Sequence, residues 1–254
     1  MNLFHLVSTG KLATRWFNQL FIEINKQNKN IECIPWGIVK DINGVVSASK
    51  ARTLNPDTVN LNPNTLYYNV NYDYISFKNK IKKTDTYKGV YIYRDPRELI
   101  MSSYYSWRFS HPGGHEKRKH LQKLNKDDGL KYVIDQTNEW NEWEMIKSWG
   151  TSDDKNIIKL KFEDIFGTDD KQNNMINKLN KIMGLNISDG ELSIIKDKMK
   201  YSNFSNGRDQ GQTDNNHHYR SGGNLTWMSE MSDDVLHNFY EVTGDLIEIL
   251  GYEK

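Results

Sequence analysis

Three short stretches of the chain carry side chains able to grip an oxyanion. In Ser8-Thr9-Gly10-Lys11-Leu12-Ala13-Thr14-Arg15-Trp16, a lysine sits in a polar loop between two apolar segments. Such a loop turns backbone N–H groups toward one point, a following helix adds partial positive charge, and the lysine completes the site. The plain alternative is a strand–loop–helix corner with a solvated lysine. It is not a Walker A loop, which needs a glycine six residues before the lysine and a Ser or Thr after it; this chain has His5 and Leu12 there. In the second stretch, Tyr91 to Tyr105, Arg94 leaves a β-prone run and Ser102 follows two helical turns later. A guanidinium fork and a hydroxyl can hold a phosphate together, where the alternative is an arginine capping a turn. In the third, Arg220-Ser221-Gly222-Gly223, glycines let backbone and guanidinium approach the same anion. Taken alone, this segment equally reads as a loop with a stray charge.

Each stretch needs an element to carry it. Phe4-His5-Leu6-Val7 is apolar and β-prone, and Thr14 to Ile24 has helical spacing, so the first reads as strand, loop, helix. The pattern returns with a strand at Val90-Tyr91-Ile92-Tyr93, a turn at Arg94 to Arg97, and a helix over Glu98 to Trp107, with Pro96 suited to the first helical turn. Asn156 to Phe162 is a third strand, and one helix is expected from about Gly129 to Trp149. The stretch 41–80, with its Asn55-Pro56 and Asn62-Pro63 pairs, reads as loop and then a strand in the aromatic run Tyr67 to Tyr74. Helices are expected over Met175–Met183 and Glu191–Met199, a long Gly-rich loop over Phe204–Asn224, and a final helix from about Asp233 to Leu250. Alternating strands and helices predict an α/β fold: one domain over residues 1–254, with a central parallel sheet flanked by helices.

Composition narrows the function. Thirty-four basic against 33 acidic side chains leave a net charge of +1, so no broad basic surface steers the chain to nucleic acid or an anionic membrane. Any anion site must be built locally. The single cysteine, Cys33, excludes an intrachain disulfide framework and a cysteine-based zinc site. No apolar run is long enough to span a membrane, and Met1 to Val7 lacks the features of a signal peptide. The expected setting is soluble and cytoplasmic.

Together the three stretches resemble the sulfotransferases that use 3'-phosphoadenosine-5'-phosphosulfate (PAPS). The family's phosphosulfate loop reads roughly Pro-Lys-Ser-Gly-Thr-Thr-Trp; here Lys11, Thr14 and Trp16 match it, and Leu12, Ala13 and Arg15 depart. Tyr91 to Tyr105 is similar to the family's 3'-phosphate motif, including the interval from Arg94 to Ser102. Arg220 to Trp227 matches the C-terminal Arg-Lys-Gly-x-x-Gly-Asp-Trp in length, with Arg220, Gly222 and Trp227 kept and Ser221 in place of the lysine. Phe162-Glu163-Asp164, Ser202-Asn203-Phe204 and Leu250-Gly251-Tyr252 resemble further family segments in the right order.

The resemblance implies a P-loop-like fold, PAPS as sulfate donor, the nucleotide PAP as product and no metal. It implies Lys11 at the leaving oxygen and the N–H groups of Leu12, Ala13, Thr14, Arg15 and Trp16 at the sulfuryl oxygens. Arg94, Ser102, Arg220, Ser221 and Gly222 would hold the 3'-phosphate. Trp16, Phe162 and Phe204 would pack on adenine, or would be core. The acceptor is expected to be a small molecule with a hydroxyl or amine. A carbohydrate or glycolipid acceptor, and a catalytically weak PAP-binding protein, remain as alternatives. The base that deprotonates the acceptor stays open: the family's histidine position falls in Asn69-Val70-Asn71-Tyr72-Asp73, which has none. Asp73 is the nearest replacement there. Glu32 and Asp41 lie near the window in which carbohydrate sulfotransferases resemble one another in carrying a glutamate. His111 lies in the segment expected to cover the acceptor and titrates near neutrality.

Overall fold

The computed structural model describes residues 1–28, 30–36, 61–81, 86–111, 114–223 and 226–253, and the backbone of 40–41 and 44–45. Asn55-Pro56 and the side chain of Asp41 lie outside the described residues. In chain order the elements begin with β1 (Asn2–Val7), α1 (Thr14–Gln27), β2 (Glu32–Pro35), β3 (Lys40–Asp41), β4 (Gly44–Val45), β5 (Thr65–Asn71), α2 (Tyr74–Lys80) and β6 (Tyr87–Tyr93). Next come α3 (Pro96–Tyr105), a π-helical turn (Ser106–Ser110), α4 (His115–Lys123), α5 (Lys126–Glu139), α6 (Glu142–Gly150) and β7 (Ile157–Lys161). The chain continues through α7 (Phe162–Ile165), α8 (Asp169–Met183), α9 (Asp189–Lys198), α10 (Trp227–Glu230), α11 (Asp233–Thr243) and α12 (Leu246–Ile249).

Five strands form one parallel sheet in the order β2-β5-β1-β6-β7, and β3 and β4 pair as a separate antiparallel ribbon. Central β1 is buried along its whole length, which is why it reads as a continuous apolar run rather than an alternation. Its two faces point into different cores. Leu3, with Leu66, Tyr68, Val90 and Ile92, packs under α1, α8 and α9. Phe4 and Leu6, with Tyr67 and Tyr91, pack against Phe77 of α2 and Trp149 of α6. A third apolar cluster joins α3, α5, α6 and α11.

The strand order places the ligand crevice. From β1 the chain runs through α1 to the β2 edge; from neighbouring β6 it runs through α3 and the following helices to the β7 edge. The connections therefore leave β1 and β6 toward opposite edges of the sheet. Open α/β sheets bind ligands at such a switch, beyond the carboxyl ends of the strands. Lys11 follows β1 and Arg94 follows β6, so the sheet brings them to one end.

Several expected elements differ in detail, for local reasons. The helix expected over Gly129–Trp149 is two, α5 and α6, because Asn141 takes a left-handed conformation (φ 59°) that asparagine tolerates better than most residues. The final helix breaks at Gly244, also at positive φ, into α11 and α12. The aromatic run from Tyr67 does not remain extended to Tyr74. Asp73 accepts a hydrogen bond from the Ser76 N–H (2.9 Å) and starts α2. The helix after Arg94 begins at Pro96, capped by Asp95, and changes to a π-helical turn at Ser106. No described helix is long and apolar enough to cross a membrane.

Candidate active site

The loop after β1 is held open from below. Ser8 Oγ and Tyr91 OH are hydrogen-bonded (2.7 Å), tying the loop to the adjacent strand. Lys11 and Ala13 both adopt positive φ (65° and 54°), and Ala13 caps α1 without a side-chain hydrogen bond. The turn buries the Leu12 side chain in the apolar cluster under α3. Lys11 Nζ donates to Ser106 Oγ in the π-helical turn (2.6 Å). Desolvation lowers its pKa to about 8; Arg15 and Arg94 act in the same direction and Glu142 opposes them. A lysine so placed gives up its proton more readily than a surface lysine does.

Arg94 is fixed on every side. Its guanidinium lies 4.2 Å from the centre of the Phe162 ring, Nη2 donates to Glu98 Oε2 (3.2 Å), and Nη1 reaches the Lys11 carbonyl (3.5 Å). Its buried Nε has no hydrogen-bond partner among the described residues; Glu163 Oε1 stands 3.9 Å away. A buried donor without a partner is a site for a ligand acceptor. Glu98 itself is 2 % exposed and also accepts from the Trp227 N–H (2.9 Å) and Thr226 Oγ1 (3.1 Å). It therefore ties the β6 arginine to the C-terminal segment.

That segment supplies Arg220, whose guanidinium lies 4.1 Å from the centre of the Tyr105 ring, with Nη2 donating to Thr226 Oγ1 (3.4 Å) and Nη1 3.8 Å from Glu230 Oε1. The long loop before it has no regular element, yet it is stapled. Arg208 donates to the carbonyls of Ser205, Gln212, Tyr219 and Arg220 at 2.6–3.0 Å. Gly222 is required where it stands: its φ is 63°, and a Cβ would come within 2.8 Å of the Tyr201 ring.

These parts enclose a cavity of about 310 Å³, within the usual range for small-molecule sites. Of the residues expected from the sequence, Lys11, Ala13, Thr14, Arg15, Trp16, Arg94, Ser102, His111, Phe162, Phe204, Arg220, Ser221 and Gly222 line it. Trp16 does so while 2 % exposed, its Nε1 donating to the Met199 carbonyl (3.1 Å). Leu12 does not line it. Asp73 and Glu32 are not brought to it either. Asp73 caps α2, and Glu32 opens the edge strand β2 opposite Thr65, the first residue of β5, at the amino end of the sheet.

His111 reaches the cavity from the end of the π-helical turn. Burial, followed by the charges of Lys11, Arg15, Lys117 and Arg118, lowers its pKa. His218, exposed at the mouth, is lowered by the pocket walls and then by Arg15 and Lys11. Both imidazoles are thereby kept neutral near pH 7, and the fixed positive charge rests on Lys11, Arg15, Arg94 and Arg220. Sequence reasoning missed Glu98, Tyr105 and Ser106, which join Ser102 on the cavity wall. Their spacing, 98, 102, 105 and 106, is one helix face, and that was the available signal. It also missed Tyr219, which pairs with Phe204 (ring centres 5.3 Å apart). Among the described residues no cluster of acids, histidines or cysteines suits a metal ion.

The fold that carries this cavity recurs in solved structures. A mouse sulfotransferase, SULT7A1, complexed with PAP, superposes with a TM-score of 0.63 at 15% identity, covering 97% of this chain and 83% of that one. Retinol dehydratase in complex with retinol and PAP gives 0.51 at 13% identity (100% and 83%), and its complex with androsterone and PAP gives 0.53 at 14% (100% and 82%). At these identities the likeness shows a shared fold. No curated protein matches by sequence. The sulfotransferase domain family matches residues 12–251, a span from the turn after Lys11 to the end of the last helix, so the chain belongs to that family and its chemistry is sulfuryl transfer.

Proposed function

We propose that the protein transfers the sulfuryl group of PAPS to the hydroxyl of a small-molecule acceptor and releases PAP. The observation that carries this reading is the convergence of Arg94, Arg220 and Lys11 on one cavity, with a buried Arg94 Nε left for a ligand oxygen. PAPS presents two anionic ends, a 3'-phosphate and a 5'-phosphosulfate, and Lys11, Arg15, Arg94 and Arg220 line the cavity that would receive them. Arg94, Ser102 and Arg220, with the Ser221-Gly222 backbone, would bind the 3'-phosphate. Phe162 and Phe204 would flank the adenine. The loop N–H groups after Lys11 would receive the sulfuryl oxygens, and Arg15 would add charge at their rim.

Bound PAPS supplies an activated sulfuryl group and a good leaving group, so the protein has to orient and to stabilise charge. Lys11 carries an ammonium whose proton is loosely held and meets the charge that grows on the leaving oxygen. Ser106 Oγ, which accepts from the Lys11 amine, would help to hold it in position. The solved relatives with retinol and androsterone support an acceptor of similar kind, a small apolar molecule bearing a hydroxyl.

Thermal unfolding with PAP, 5'-AMP and ATP-Mg tests the donor. PAP at a hundred times its Kd should stabilise the fold by about 2.7 kcal/mol, and 5'-AMP, lacking the 3'-phosphate, by much less. Stabilisation by ATP-Mg with none by PAP would overturn the reading. Labelled PAPS with a panel of hydroxylated acceptors then identifies the acceptor.

A further inference from the structure

Sulfuryl transfer to a hydroxyl also needs a group to take the acceptor's proton. Asp73 is committed to capping α2, and Glu32 is at the wrong end of the sheet. His111 lines the cavity, where burial and then four cationic charges lower its proton affinity, and it is the competing candidate. A carboxylate that the sequence did not bring forward is hydrogen-bonded to the loop that carries Lys11.

We propose that Glu142 is the general base that takes the proton from the acceptor. This rests on the sulfuryl-transfer reading above. Glu142 is the first residue of α6, delivered there by the left-handed Asn141 that breaks the long helix in two. Its Oε2 accepts a hydrogen bond from Thr9 Oγ1, two residues before Lys11 and buried in the same loop. The carboxylate is half-buried at the start of α6.

Glu142 does not line the donor cavity, so it would meet an acceptor that approaches Lys11 from the side of α4 and α6. From the loop after β1 it is faced by Thr9 and by the charge of Lys11, and from α4 by the charge of Lys117. Lys117 Nζ lies 3.4 Å from the centre of the Trp140 ring and 4.3 Å from that of Trp107. Glu139, at the end of α5, also acts on Lys117, and Glu144 lies in the first turn of α6 with Glu142. Glu142 thus lies near both the loop that carries Lys11 and the Lys117 ammonium that stands over Trp140. Among the described acids it is the one whose charge acts on Lys11.

The step balances. As the acceptor oxygen bonds to sulfur, its proton passes to a Glu142 oxygen. The bond from sulfur to the bridging oxygen of the donor breaks, and the Lys11 ammonium meets the charge left on that oxygen. Glu142 then releases its proton to water, so the products are the acceptor sulfate, PAP and one proton. General-base assistance of this kind contributes about 10²–10⁴-fold.

The test is Glu142→Gln, which keeps an oxygen for the Thr9 hydroxyl and the shape of the side chain. PAP affinity is measured by calorimetry. Turnover of PAPS is measured with water alone and with substituted phenols, running from one ionised at the assay pH to one that is not. The expected result is unchanged PAP affinity and a loss of about 10²–10⁴-fold in kcat for acceptors that must lose a proton. The loss should shrink toward none for the phenol that is already ionised. Glu142→Asp, which keeps the carboxylate, should recover part of the lost rate. A uniform loss across all acceptors, or no loss, overturns the assignment. A wild-type protein that binds no PAP instead overturns the sulfuryl-transfer reading beneath it.

Discussion

Glu98 joins the two halves of the proposed phosphate site, and removing it should be costly in a way that can be calculated. The carboxylate is 2 % exposed and accepts from Arg94 Nη2, the Trp227 N–H and Thr226 Oγ1. Glu98→Ala would remove the hydrogen-bonded partner of the buried Arg94 charge, leaving it, among the described residues, only Glu163 at 3.9 Å, and would leave two further donors without an acceptor. Breaking a buried pair in this way costs about 3–5 kcal/mol. For a chain of this size each kcal/mol lowers Tm by about 2–4 °C, so the fall should be about 6–20 °C. Glu98→Gln keeps an acceptor for the Trp227 N–H and the Thr226 hydroxyl but loses the charge facing Arg94, at about 1.5–3 kcal/mol. The assay is thermal unfolding with and without PAP. Because Glu98 holds Arg94 and, through Thr226, Arg220, both variants should also show a smaller gain in Tm from PAP. A Glu98→Ala protein that melts within about 2 °C of the wild type would refute the reasoning, since that is the shift expected from less than one ordinary hydrogen bond.

Other outcomes follow from the same geometry. Lys11, with its pKa lowered to about 8, is a proton donor below that pH and loses the proton above it, so kcat/KM should fall as pH rises through about 8. Bound donor adds negative charge, so the limb in kcat should lie higher; a kcat/KM still rising at pH 9 would exclude Lys11 as the donor. Asp73→Ala should cost about 1 kcal/mol through loss of the α2 cap and lower Tm by about 2–4 °C, with turnover by the folded protein retained. Abolished turnover in a protein that melts normally would return Asp73 to the site. Ala13 holds a left-handed conformation that costs an alanine about 1–2 kcal/mol. Ala13→Gly relieves this but makes the unfolded chain freer by about 0.4–1 kcal/mol, so Tm should rise by a degree or two, whereas Ala13→Val should lower it.

What the sequence disclosed and what it hid divide along the range of the interactions. Around Arg94 every determinant is local: a β-prone run, the Asp95 cap, Pro96 in the first helical turn, and Ser102 eight residues on. The strand, turn and helix could therefore be read in order, and Lys11 and Arg220 could be read in the same way from their own short motifs. Glu98 looked like one more helix acid, because its burial depends on Thr226 and Trp227, 128 and 129 residues away. Glu142 was hidden twice. Helical periodicity runs through the Asn141 break, and the contact with Thr9 spans 133 residues. Asp73 was misjudged for the opposite reason: the local signal was present, an aspartate three residues before the N–H that it caps, but the aromatic run Tyr67 to Tyr74 suggested an uninterrupted strand. The cations that define the donor end belong to local motifs. The carboxylates that position them, and the one proposed to take the proton, act through tertiary contacts. The same division predicts where transplanting the motifs alone would fail. Grafting Lys11, Arg94 and Arg220 onto another parallel sheet would supply the charge without Glu98 to hold the arginines in register, and anion binding would lose its preference for the 3'-phosphate.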